Sequence, residues 1–142
     1  MFKNILLAAD GSVHSKRAAS KAIYLAQNVS GSKITLINVL DDLRNRKDIL
    51  HETMEIEYDT STSIQKEQTK EIEETIKEAG VSLEVKHVIG EPGPTIVEEA
   101  NEGEYDIVII GSRGLNPFQR MVLGSVSHKV SKRVKCPVLI IK

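Results

Sequence analysis

Apolar residues along this chain fall into two kinds of run, which alternate. Short dense runs read as strands, and longer stretches with apolar residues every three or four positions read as helices. Asn4 to Ala9 is nearly all apolar and predicts a first strand buried on both faces. A helix beginning at Ser12 or Val13 and running to Val29 follows, with Ala19, Ala22, Ile23, Ala26 and Val29 as its apolar stripe and Gly31 at its exit. The small alanines let that helix lie close to a sheet. Ile34, Leu36, Ile37 and Val39 mark a second strand, Lys33 to Leu40.

Asp41 to Asp48 reads as an exposed loop, and a long charged helix comes next. The later part of that helix carries Ile64, Gln68, Ile72, Ile76 and Ala79 on one side and ends at Gly80. Val81 to Ile89 alternates apolar with polar residues, as expected of a strand with one exposed face at a sheet edge. Pro92-Gly93-Pro94 opens a short helix with Ile96, Val97 and Ala100, stopping near Gly103. Tyr105 to Ile110 predicts the fourth strand; Val126, Val130 and Val134 a last helix; and Val138 to Ile141 the fifth strand. Strands alternating with helices point to an α/β doubly wound parallel sheet in one domain, residues 1–142.

Composition narrows the class. The 142 residues carry 19 basic and 20 acidic side chains, a formal net charge of −1, which gives no electrostatic case for a nucleic-acid partner. Lys129, Lys132, Arg133 and Lys135 cluster toward a helix C-terminus, where cations suit the helix dipole, and read as a solvated face. Cys136 is the only cysteine, which fits a reducing, cytoplasmic setting; next to Pro137 it reads as a packed, inert thiol. No apolar run approaches the ~18 residues of a membrane span, and Lys3 leads into a short strand rather than a secretion signal.

The chemistry is concentrated in glycines. Gly111-Ser112-Arg113-Gly114 directly follows the fourth strand, and Gly124-Ser125 opens the last helix, leading into Val126. Glycines let backbone approach phosphate oxygens, and a helix's first turn offers N–H groups and a positive dipole end. Gly111 and Gly114 would open the loop; Gly124, Ser125 and Val126 would supply amides. Ser125 either adds a hydroxyl to this cradle or caps the last helix. Arg113 and Arg120 could reach phosphate with guanidinium forks, or be solvated loop residues. The pattern is not a Walker loop, since no G-x-x-x-x-G-K-[ST] occurs, and no G-x-G-x-x-G follows the first strand.

Other constellations exclude rather than propose. Asp10, Ser12 and His14 are close in sequence, but nothing orders them as a nucleophile, base and orienter. Asp10 lacks the second acid of a phosphoacceptor, and no base for activating water stands out. The four histidines (14, 51, 87 and 128) lie in unrelated segments, and Glu71, Glu73, Glu74 and Glu78 read as a solvated helix face. Asp10-Gly11-Ser12 is by itself a strand exit with a helix cap.

The spacing G-x2-G-x9-G-[S/T] at Gly111, Gly114 and Gly124-Ser125 resembles the nucleotide loop of the universal stress protein family. Ile5 to Ser12 resembles that family's first strand and terminal acid, and Leu123 to Val126 with Cys136 to Ile141 resembles its last third. The resemblance spans essentially the whole chain. It implies strand order 3-2-1-4-5, so that Asp10 and Gly111 converge at the switch point where ligands bind such sheets. It also implies ATP, with Mg2+ or Mn2+ bridging the phosphates, in a pocket lined by Ala8, Asp10, the backbone of Val39, Gly111, Ser112, Arg113, Gly114, Gly124, Ser125 and Val126. A homodimer paired through the C-terminal strand is a further implication, since an apolar edge invites association. The expected function is nucleotide-regulated stress signalling without strong catalysis. A slow ATPase using the same pocket and a nucleotide-free partner-binding dimer are the rivals, and Asn116-Pro117-Phe118 could close the pocket.

Overall fold

A computed structural model describes residues 2–40, 67–114 and 124–142. The readings of Asp41–Asp48, Ile64, His51, Asn116-Pro117-Phe118, Arg120 and Leu123 lie outside the described residues.

Nine elements follow one another: β1 (Asn4–Ala8), α1 (Val13–Gln27), β2 (Lys33–Leu40), α2 (Lys70–Glu78), β3 (Ser82–Ile89), α3 (Pro92–Glu102), β4 (Ile107–Gly111), α4 (Ser125–Arg133) and β5 (Val138–Ile141). The five strands form one parallel sheet in the order 3-2-1-4-5, as the resemblance implied. Strand side chains alternate between the two faces, and each face has its own helices. Ile5, Leu7, Ile34, Leu36, Ile107 and Ile109 pack under α1 and α2, against Ala18, Ala19, Ala22, Ala26, Ile72 and Ile76. Leu6, Ala8, Ile37, Val108 and Ile110 pack under α3 and α4, against Ile96, Ala100 and Val130. Burying each larger aliphatic side chain completely stabilises the fold by about 1.5–3 kcal/mol.

Local chemistry fixes the element ends. Ser12 caps α1, its hydroxyl accepting the Ser15 amide at 3.2 Å, and Gly31 leaves that helix region with φ +78°. Pro92 occupies the first turn of α3, where its missing N–H costs nothing. Strand β3 stands at the sheet edge, in agreement with its alternating pattern.

Strand β4 differs from expectation at both ends. It begins at Ile107 rather than Tyr105, because the Asp106 carboxylate accepts the Asn4 amide at 2.9 Å and the Tyr105 hydroxyl donates to Glu99 Oε1 at 2.7 Å. It ends at Gly111, which is paired in the ladder with Ile141 rather than opening the loop. The reason is a close approach. A Cβ on Gly111 would lie 2.7 Å from His14 Cβ, so the glycine lets the first turn of α1 rest on the strand.

Candidate phosphate cradle at the strand switch point

Strands β1 and β4 are neighbours that leave toward opposite sides of the sheet, so their carboxyl ends border one crevice. On the β1 side, Asp10 Oδ1 accepts the Ser12 amide at 2.9 Å, which turns the chain into α1. Gly11 makes this turn with φ +85°, and a Cβ there would stand 2.6 Å from the Gln68 carbonyl oxygen. The turn entering α2 therefore walls this loop.

On the β4 side, the chain passes through Ser112 and Arg113 to Gly114. A Cβ on Gly114 would lie 2.7 Å from Asp10 Oδ2, so the two loops read from the sequence do meet. The Ser112 carbonyl accepts the Gly124 amide at 2.7 Å and the Ser127 hydroxyl at 2.9 Å. These bonds dock the start of α4 against the end of β4. Gly124 fits that dock closely, since a Cβ on it would be 3.2 Å from the Ser112 oxygen and 3.5 Å from Arg113 Cα.

Gly124, not Ser125, is the cap residue of α4. Of the two roles open to Ser125, capping is thereby removed; it is the first helical residue and is exposed. A glycine cap has no side chain to accept from the first-turn amides, and α4 has no side-chain cap. The amides of Ser125, Val126 and Ser127 are those that helix geometry leaves without an intrahelical acceptor. Together with the helix dipole they make this end of α4 a candidate site for an anion.

The remaining positions lie at or next to the carboxyl ends of their strands. Ala8 is buried at the end of β1 and pairs with Ile37; β2 runs on through Val39, which is half-buried and in register with Val88. Arg113 is half-buried beside Gly124. Three neighbours of the site escaped the sequence reading in this role: His14, whose Nδ1 lies 3.4 Å from the Ser112 hydroxyl, Ser127, and Gln68. None carries a local signal, because each is set by a contact between distant elements.

Glu71, offered as a solvated residue, pairs with Lys16 at 2.9 Å on the surface. Among the described residues no group of three His, Cys, Asp or Glu is placed to hold a metal ion. Burial pushes the half-buried Cys136 thiol up, away from the reactive thiolate. Among the described residues no helix is long and apolar enough to cross a membrane.

The family model described as "Universal stress protein family" matches residues 1–142. The chain belongs to that family. Among universal stress proteins it is similar to YxiE of Bacillus subtilis (strain 168), 32% identical over 149 aligned positions and covering 100% of both chains. Its fold is similar to that of the universal stress protein UspA from Lactobacillus plantarum, with TM-score 0.87, 24% identity, and 99% and 98% of the two chains covered. It is also similar to a universal stress protein family protein from Arabidopsis thaliana whose structure has AMP bound, with TM-score 0.67, 23% identity, and 99% and 91% covered.

Proposed function

We propose that residues 1–142 act as a single universal stress protein unit that binds an adenine nucleotide, ATP foremost, in the crevice between β1 and β4. The observation that carries this reading is the convergence of Asp10 and Gly114 beside a helix whose cap, Gly124, has no side chain to accept its first-turn amides. The bound AMP of the Arabidopsis relative supports an adenine nucleotide. Glycine at 114 suits a polyphosphate there, since it keeps the space beside the Asp10 carboxylate clear of a Cβ that would lie 2.7 Å from Oδ2. Mg2+ or Mn2+ would be held by the phosphates and Asp10, with water filling its other positions, and would neutralise phosphate charge.

In this reading Ser112, Arg113 and Gly114 follow the phosphates, Ser125 and Val126 donate amides, and Ala8 and the Val39 backbone border the nucleoside. The sequence around Asp10 offers no evident base for activating water, and in this reading the output is a change of shape or stability rather than a released product. The apolar outer edge of β5 pairs with a second copy, and the lone Cys136 suits a cytoplasmic location.

Thermal melting with ATP–Mg2+, AMP, cyclic AMP and FMN tests the reading. A ligand at about 100 times its dissociation constant adds ~2.7 kcal/mol of stability. A curve unmoved by every nucleotide overturns it.

A further inference from the structure

We propose that His14 is a positioning residue for this cradle, holding Ser112 and, through it, the N-terminus of α4. Ser112 is a junction of three elements. Its amide donates to the Ile141 carbonyl of β5 at 2.7 Å, and its carbonyl accepts from Gly124 and Ser127 at the start of α4. Its hydroxyl is buried with the residue, which is 3% exposed, and the partner found for it among the described residues is His14 Nδ1 at 3.4 Å. A buried hydroxyl is costly without a partner, so the imidazole sets the rotamer of Ser112 and holds the peptide that α4 hangs from.

The backbone is arranged to keep that contact. His14 lies in the first turn of α1, one residue ahead of Ser15, whose amide the Ser12 hydroxyl accepts, and the Ser12 amide in turn binds Asp10. Gly111, the residue before Ser112, is pressed against His14: a Cβ on it would be 2.7 Å from His14 Cβ and 2.8 Å from His14 carbonyl carbon. The acid-bearing loop and the glycine loop are thus joined through one side chain. The assignment of the cradle to nucleotide rests on the proposed function, but the linkage of His14 to Ser112 does not.

The test uses the full chain and the variants His14→Ala, His14→Asn, Ser112→Ala and the double variant His14→Ala with Ser112→Ala. Two readouts are taken: amide exchange at Gly124 by NMR without ligand, and ATP–Mg2+ and AMP binding by calorimetry. His14→Ala should speed Gly124 exchange about tenfold relative to the amides of β2, and weaken nucleotide five- to tenfold. Asn, which can offer an oxygen near the same place, should restore most of both. On the Ser112→Ala background the His14→Ala change should add nothing, because the two residues act as a pair. Should alanine at 14 fail to fold, His14→Phe keeps a ring at this position without its nitrogens and is read in the same way.

Unchanged Gly124 exchange in His14→Ala, or effects of the two single variants that simply add, overturns the proposal. Altered exchange with no nucleotide bound even by the wild type supports the positioning role and removes the nucleotide reading instead.

Discussion

The Asp10 carboxylate lies directly against Gly114: a Cβ built on that glycine would stand 2.7 Å from Oδ2. The neighbour is the far end of a flexible side chain, so Gly114→Ala should displace the carboxylate without damaging the core. The expected outcome is an unchanged melting temperature without ligand and nucleotide affinity lowered by about tenfold, roughly 1.4 kcal/mol. In an Asp10→Ala background the same change should cost little more, since the group it displaces is gone. Calorimetric titration of the four proteins measures both terms.

Gly124 allows an opposite experiment. Its φ of −67° and ψ of 161° suit any residue, so a substitution there is judged by space and capping alone. Gly124→Asp would place a carboxylate at the cap of α4, where it can accept the first-turn amides and interact favourably with the dipole. That contribution, about 0.5–1 kcal/mol, is offset by the crowding of the Ser112 oxygen 3.2 Å from the new Cβ. The ligand-free melting curve should therefore move little. Nucleotide should be lost by tenfold or more, because the built-in anion fills the place of phosphate. Equal affinity in the variant would remove the α4 amides from the site.

How much of this was legible in the sequence depends on the range of the contact involved. Lys33–Leu40 reads correctly as a strand because its apolar residues alone demand burial. Ile72 and Ile76 show their face by spacing and are buried as expected. Gly111 reads as a loop opener because a glycine after a strand usually marks a turn, whereas its lack of a side chain admits His14 from 97 positions earlier. Ala18 and Ser15, buried on α1, fall outside the stripe that the spacing marks: Ala18 joins the apolar cluster under α1, and the Ser15 hydroxyl donates to the Ser12 carbonyl at 2.9 Å. The glycines of the cradle were visible as residues; their partners His14, Gln68 and Ser127 were not, since only the folded topology brings them there.

Two glycines of positive φ separate backbone strain from crowding. Gly11 has φ +85° and would set a Cβ 2.6 Å from backbone oxygen of Gln68, while Gly31 has φ +78° with nothing within 4 Å. A left-handed alanine costs about 1–2 kcal/mol. Gly31→Ala should lose about that much, and Gly11→Ala distinctly more, roughly 3 kcal/mol or above, because rigid backbone must also move. Urea unfolding of both variants checks the difference; equal losses would mean that the turn at Gln68 does not wall the Asp10 loop.

A pH test concerns the cluster of Lys86, Glu99 and Tyr105. Glu99 Oε1 accepts from Lys86 Nζ and from the Tyr105 hydroxyl, each at 2.7 Å. Burial alone would raise the Glu99 carboxyl, but the two hydrogen bonds outweigh it and hold the group below its ordinary value of 4.5. Burial, reinforced by the bond to Glu99, pushes Tyr105 above its ordinary 10.0. A lowered acid stabilises the fold above its unfolded pKa, and that contribution is lost as pH falls through the folded one. A raised phenol stabilises below its unfolded pKa, and that contribution is lost as pH rises toward the folded one. Glu99→Gln should therefore flatten the loss of stability below pH 4.5 and lower the plateau between the two limbs. Tyr105→Phe should alter the limb above pH 10.0.

The outer edge of β5 gives the last test. The Val108 amide donates to the Pro137 carbonyl at 2.9 Å and the Ser112 amide to Ile141 at 2.7 Å, so the odd-numbered positions of β5 bond inward to β4. Val138 and Ile140 accordingly turn their backbone groups outward, and among the described residues no further strand pairs with them. A second copy laid along this edge would use the Val138 amide. Val138→Pro removes that donor while leaving the β4 ladder its bonds, and proline is tolerated on an edge strand. Sedimentation equilibrium should show the wild type as a dimer and the variant as a monomer, with the melting temperature of the variant then independent of concentration. Because Ile141 also receives the Ser112 amide, separating the copies should weaken nucleotide by a few-fold as the end of β5 loosens. A variant that stays dimeric places the interface elsewhere; one that is monomeric yet binds nucleotide as tightly as the wild type shows that the edge and the cradle act independently.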